Sequence, residues 1–262
     1  MAPSQIFAAP STFPTDLVEL HESIATLLAA QGEWERAYSH LRAAFKLARD
    51  HDCGALRIPE QYRREVDALR EAHAQALEAS LRDSLTASYN RRYLDQKLVA
   101  LLAEQCSTGE GVAVALIDLD PFKQVNDTYG HLLGDRVLQR VVALLQVDLP
   151  EGAFCARYGG EEFVLVIPDV DARAAVTAVE RARARIADHG WTKLAPALRV
   201  TISVGLVHHA AHDRTPATHA DAERHLRRAD DLLYFAKRAG RNAVAYRTHG
   251  AIRIAGLDDN CR

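Results

Sequence analysis

The 262-residue sequence contains no apolar run approaching the roughly 18 residues needed to cross a bilayer. Its N-terminus also lacks a basic region followed by a sustained apolar stretch. A soluble, cytoplasmic chain without a membrane partner is therefore the expectation. Basic excess is missing too: the formal net charge is −3 at pH 7, which supplies no field to attract a nucleic-acid backbone but leaves room for a local phosphate pocket. The four cysteines, Cys53, Cys106, Cys155 and Cys261, form no C-x-x-C pair and have no histidine at zinc-ligand spacing, so they read as reduced thiols. What remains is ordinary globular composition, 48% hydrophobic and 26% charged, in a length that suits one large domain or two modest ones.

The N-terminal third reads as helical. Pro3, Pro10 and Pro14 mark a loose arm, after which Thr15-Asp16 can cap a helix carrying Leu17, Leu20, Ile24, Leu27 and Leu28 and ending near Gly32. A second helical pattern from Glu33 carries Trp34, Ala37, Leu41, Ala44, Phe45 and Leu47. Gln31-Gly32-Glu33-Trp34-Glu35-Arg36-Ala37 followed by Leu41, Ala44 and Leu47 resembles one tetratricopeptide repeat, against which a generic helix pair remains an equal reading. Because one repeat cannot bury its own face, the region must pack on a further helix, a second subunit or another segment. Pro59 then suits the first turn of a long helix through Val66, Leu69, Leu77 and Leu81 toward Asp83, read either as a solvated connector or as a signalling helix.

From about Asp83 strand-like runs alternate with helices. Strands are expected at Val112–Asp118, Phe154–Arg157, Phe163–Ile167, Val200–Leu206 and Ala243–Tyr246, and helices at Arg91–Glu104, Val125–Val147, Ala172–His189 and Ala220–Arg238. Gly159-Gly160 should turn the two central strands into a hairpin. The fold class is α+β. Tyr158, Phe163, Tyr234 and Phe235 are expected in the core.

Asp118 and Asp120 close an apolar strand, and Glu161 and Glu162 follow the glycine turn. Carboxylates at a strand end and a hairpin tip suit a hard cation that shares substrate phosphates, although acidic residues at turns are common. The wider string decides the matter: Asp118-Leu119-Asp120-Pro121-Phe122-Lys123-Gln124-Val125-Asn126-Asp127, then Gly130-His131 and Gly134-Asp135, then Arg157-Tyr158-Gly159-Gly160-Glu161-Glu162-Phe163. It resembles the GGDEF family of diguanylate cyclases, in its GGEEF form. Asp83-Ser84-Leu85-Thr86, Thr201-Ile202-Ser203-Val204-Gly205 and Gly240-Arg241-Asn242 extend the resemblance over roughly residues 83–248.

The resemblance implies a β-α-β-β-α-β core shared with nucleotidyl cyclases and condensation of two GTP molecules into cyclic di-GMP with Mg2+ or Mn2+. It implies that Asp118, Glu161 and the backbone carbonyl of Leu119 hold metal, with Glu162 a further ligand or the group that deprotonates the attacking hydroxyl. Phe122 and Lys123 would cradle terminal phosphates, Lys237 and Arg241 would reach the same triphosphate, and Asn126 and Asp135 would read guanine. Each domain would hold one GTP, so a homodimer is required, and the N-terminal helices could set that encounter or receive a protein partner. The alternative is a catalytically silent GTP-binding or protein-interaction module. The expected organisation is a helical hairpin over 1–57, a connecting helix over 58–82, the cyclase domain over 83–248 and a tail over 249–262. Ala87 departs from the family, which has glycine there, in a turn that alanine resists.

Overall fold

The computed structural model describes residues 17–49, 60–108, 111–209 and 218–255; the expected Thr15-Asp16 cap and Pro59 lie outside them. The chain divides into two compact units, Met1–Ser80 and Leu81–Arg262.

In the first unit, α1 (Leu17–Ala30) and α2 (Trp34–Arg49) form a hairpin, with Gly32 in the left-handed region at φ 81°. The Gly32 and Glu33 amides donate to the carbonyls of Ala29 and Leu28, so the turn closes the end of α1. A small core joins Leu20, Ile24 and Leu28 to Ala37 and to Val66 of α3 (Glu60–Ser80). Beyond Arg70, α3 is almost wholly solvent-exposed.

The second unit is the α+β fold: a seven-stranded sheet in the order β1-β3-β4-β2-β5-β6-β7. Its strands are β1 (Tyr89–Asn90), β2 (Val112–Leu119), β3 (Phe154–Gly159), β4 (Glu162–Ile167), β5 (Ile202–His209), β6 (Val244–Thr248) and β7 (Ala251–Ala255). The eight residues of β2 are all buried, because helices cover both faces of the sheet. Ala113, Ala115, Ile117 and Leu119 pack with α6 (His131–Leu145) and α7 (Ala172–Ala187), whereas Val112, Val114 and Leu116 pack with α4 (Arg91–Thr108) and α8 (His219–Arg238). A Cβ on Gly205 of β5 would lie 1.9 Å from the Ala229 carbonyl oxygen, so this glycine lets α8 lie directly against the sheet. That contact fixes where the end of α8 arrives.

Several expectations need correction. The single helix over Val125–Val147 is two, α5 (Phe122–Tyr129) and α6, broken at Gly130, whose φ of 83° no helix can continue through. Tyr234 and Phe235 are 58% and 45% exposed, because the buried stripe of α8 runs through Ala229, Leu232, Leu233 and Ala236. The strand β7 was not expected. It forms a hairpin with β6 through His249-Gly250, both at positive φ, in residues the expected organisation assigns to a tail. Cys155 is free and buried, its thiol pushed up to about 12 by burial, as suits an inert packing residue.

Candidate active site

The central strand delivers Asp118 and Leu119 to one edge of the sheet, where the chain turns through Asp120-Pro121 into α5. Across the antiparallel β2–β4 pair, Asp118 is in register with Glu162, and the Leu119 amide donates to the Glu161 carbonyl at 3.4 Å. The β3–β4 hairpin therefore sets its acidic tip beside the end of β2, which is how residues over 40 positions apart in sequence come together.

From the far side, Lys237 in the last turn of α8 places Nζ 2.8 Å from Asp118 Oδ2. Glu162 is held above the usual carboxylate range, first by burial and then by the Asp118 charge, with Lys237 opposing. Two carboxylates and a backbone carbonyl with one ammonium among them form an oxygen-rich cradle suited to a hard cation and a polyphosphate. Among the described residues, however, no three acidic, histidine or cysteine side chains converge as a ready metal cluster. Glu161 stands half-buried at the hairpin tip, and the Asp118 carboxylate is engaged by Lys237.

Asp120 has a different part. It is 3% exposed and accepts hydrogen bonds from the Thr201 hydroxyl at 2.7 Å, the Ser203 hydroxyl at 2.6 Å and the Asn242 amide at 2.9 Å. The carboxylate thus ties the end of β2 to β5 and to the loop after α8. In sequence it stands with the cation-binding acids; its hydroxyl partners, 81 and 83 residues away, have no local signature. The Asp120→Ala variant should lose about 2 kcal/mol of stability, since it strands buried donors, and urea unfolding would measure it. The same tether places Arg241. It lies beyond the end of α8, at φ 65°, so it does not share a helical face with Lys237; the loop pinned by Asp120 brings it, exposed, to this edge.

On the adjoining side, Gln124 and Val125 donate to the Pro121 carbonyl, leaving the Phe122 and Lys123 amides without partners inside α5. Phe122 is buried and Lys123 exposed. Asn126 of α5 carries a buried Oδ1 with no hydrogen-bond partner among the described residues, an arrangement that costs free energy unless something else supplies a donor. Asp135, half-buried, projects from α6. A Cβ on Gly134 would lie 1.9 Å from Asn126 Oδ1, so Gly134 makes the room in which that oxygen sits.

The hairpin tip is braced from the domain's start. Arg157 donates to the Gly160 carbonyl through Nε (3.0 Å) and Nη2 (2.8 Å), and to Asp83 through Nη1 at 3.1 Å. Burial of Asp83 is outweighed by the Thr86 hydroxyl and amide and by Arg157, so its carboxyl titrates below the usual range. In the same turn Ala87 sits at φ 57°, the conformation a side chain resists. Ala87→Gly should accordingly gain about 0.5–1 kcal/mol, the relief of left-handed strain less the entropy glycine adds to the unfolded chain, as read from the denaturation midpoint.

Comparison with known proteins identifies the family of the second unit. The family model for the diguanylate cyclase GGDEF domain matches residues 80–243. The response regulator PleD of Caulobacter vibrioides is 39% identical over 191 residues, 70% of this chain and 40% of that protein, so the chain spans about two fifths of the length of this curated relative. The coiled coil and GGDEF domain of DgcB from Caulobacter crescentus, solved with c-di-GMP, aligns with TM-score 0.64 at 29% identity, covering 72% of this chain and 96% of that one. The diguanylate cyclase SiaD of Pseudomonas aeruginosa, solved with its activator SiaC, aligns with TM-score 0.59 at 32% identity over 88% of this chain and 83% of its own.

Proposed function

We propose that this chain, which belongs to the GGDEF family of diguanylate cyclases, condenses two GTP molecules into cyclic di-GMP with release of two pyrophosphates. The observation that carries the reading is the Asp118, Glu162 and Lys237 cluster, in which Asp118, paired with Lys237, faces the Glu162 carboxylate at the mouth of a helix with open amides. A catalytically silent domain has no need to keep mutually repelling carboxylates there.

Asp118, Glu161, Glu162 and the Leu119 carbonyl would hold Mg2+ or Mn2+, which when bound offsets the charge that builds on the α-phosphate. The chain's own groups account for the rest. The Phe122 and Lys123 amides receive terminal phosphate oxygens at the start of α5, and the Lys123, Lys237 and Arg241 cations gather on the same triphosphate. Asn126 Oδ1 accepts from the guanine amine, and the Asp135 carboxylate accepts N1–H and N2–H together. The 3′-hydroxyl of one GTP attacks the α-phosphorus of the other, its proton passing toward Glu162 as the bond to pyrophosphate breaks. Repetition with the roles exchanged closes the ring.

One domain supplies one GTP, so two chains must meet, with the N-terminal helices setting the encounter. Incubating the purified protein with GTP and magnesium and separating the products by chromatography tests the proposal: cyclic di-GMP is expected, and unreacted GTP at high protein concentration would overturn it. Product feedback should be weak at the turn before β3. Pro150-Glu151-Gly152-Ala153 there offers no arginine, and bidentate guanidinium contacts to phosphate are among the strongest polar contacts available. Calorimetric titration with cyclic di-GMP should find no site tighter than about 1 μM that is lost on mutating these residues.

A further inference from the structure

We propose that α2 is the face on which two copies of this chain pair, antiparallel, with the Trp34, Tyr38, Leu41 and Phe45 side chains at the contact. The proposal deepens the function above, which requires a meeting of two chains, but it stands on separate observations. Ala37 and Ala44 turn α2 inward against α1. Trp34, Tyr38, Leu41 and Phe45, spaced by four, three and four, occupy another stripe and are 69%, 67%, 53% and 70% exposed. That is on the order of 500 Å2 of apolar surface, at the upper end of what one patch on a monomer displays. Two copies would cover about 1,000 Å2, the size at which an interface becomes specific.

The charges beside the stripe identify the occupant. Glu35, Arg42 and Lys46 lie seven and four residues apart along one flank of it, all exposed, and none has an ion pair with any described residue. A two-fold axis through the middle of the stripe sets Trp34 against Phe45 of the second copy and Tyr38 against Leu41. The same axis lays flank against flank in opposite directions, so that Glu35 meets Arg42 and Lys46 of the other copy. In a parallel pairing the two flanks would fall on opposite sides of the contact, and these charges would have no counterpart to meet. The pattern is self-complementary in one direction, as a symmetric isologous interface demands.

Sedimentation of the full chain without nucleotide, over a concentration series, reads the pairing directly. A reversible dimer is expected, with Trp34→Ala plus Phe45→Ala weakening it at least about tenfold. Glu35→Lys alone, and Arg42→Glu with Lys46→Glu, should each weaken it roughly tenfold, and the triple variant should recover the dimer because the charges are exchanged rather than lost. These positions are exposed, and unchanged circular dichroism would show that folding is intact. A wild-type chain that stays monomeric would overturn the proposal, whether the stripe is covered by residues 1–16 of its own chain or kept for a different protein. A dimer indifferent to the charge exchange, or one the triple variant fails to restore, would overturn it equally. A dimer that makes no cyclic di-GMP would instead count against the cyclase reading alone.

Discussion

The Glu162→Gln variant should fold normally and lose cyclic di-GMP synthesis by about 10²–10⁴-fold, the range spanned by removal of a general base. The two side chains have the same shape, so the half-buried position beside β2 is filled as before. What changes is charge. In the parent, burial and the Asp118 carboxylate together hold the Glu162 pKa up, so an ionised Glu162 at neutral pH is carried at a cost to the folded state. A neutral amide removes that cost, and the melting temperature should stay level or rise slightly, with the Asp118–Lys237 ion pair at 2.8 Å undisturbed. Loss of activity without loss of stability is the signature of a group retained for chemistry. Turnover near the parental value would remove Glu162 from the reaction, whether as base or as metal ligand.

Much of this site was legible in the sequence because its chemistry is packed into short strings. Asp118-Leu119, Glu161-Glu162 and Gly134-Asp135 are local motifs, and the apolar run before Asp118 reads as a strand buried on both faces. The parts that escaped depend on distant partners. Nothing near Asp120 in sequence distinguishes it from Asp118, yet one faces Lys237 at the open edge and the other is enclosed by Thr201, Ser203 and Asn242. The break at Gly130 was hidden because the apolar pattern on either side keeps a helical period through it. The exposure of Tyr234 and Phe235 follows from the rotation of α8, which Gly205 sets from another strand. The strand β7 was missed because it is short: Ala251–Ala255 reads as apolar, but its five residues are exposed or half-buried at the sheet edge and depend on pairing with β6.

Replacing Asp135 with serine should cut the preference for GTP over ATP by about 10²–10³-fold, mostly by weakening GTP. A carboxylate can accept the guanine N1–H and N2–H side by side, whereas a hydroxyl has neither the second oxygen nor the charge, and a donor left without its partner in a partly buried pocket loses far more than a contact of similar size. Asn126 continues to accept from the amine, so discrimination falls without vanishing. The geometry supplies an internal control in Gly134. Its missing Cβ leaves the space taken by Asn126 Oδ1, a buried oxygen with no partner among the described residues. Gly134→Ala should therefore push Asn126 aside and weaken GTP while Asp135 remains. Competition between GTP and ATP, measured by nucleotide binding so that turnover plays no part, separates the two variants. Equal selectivity in Asp135→Ser and the parent would mean that guanine is read elsewhere, and the unpartnered Asn126 oxygen would then have to be explained by something other than a base.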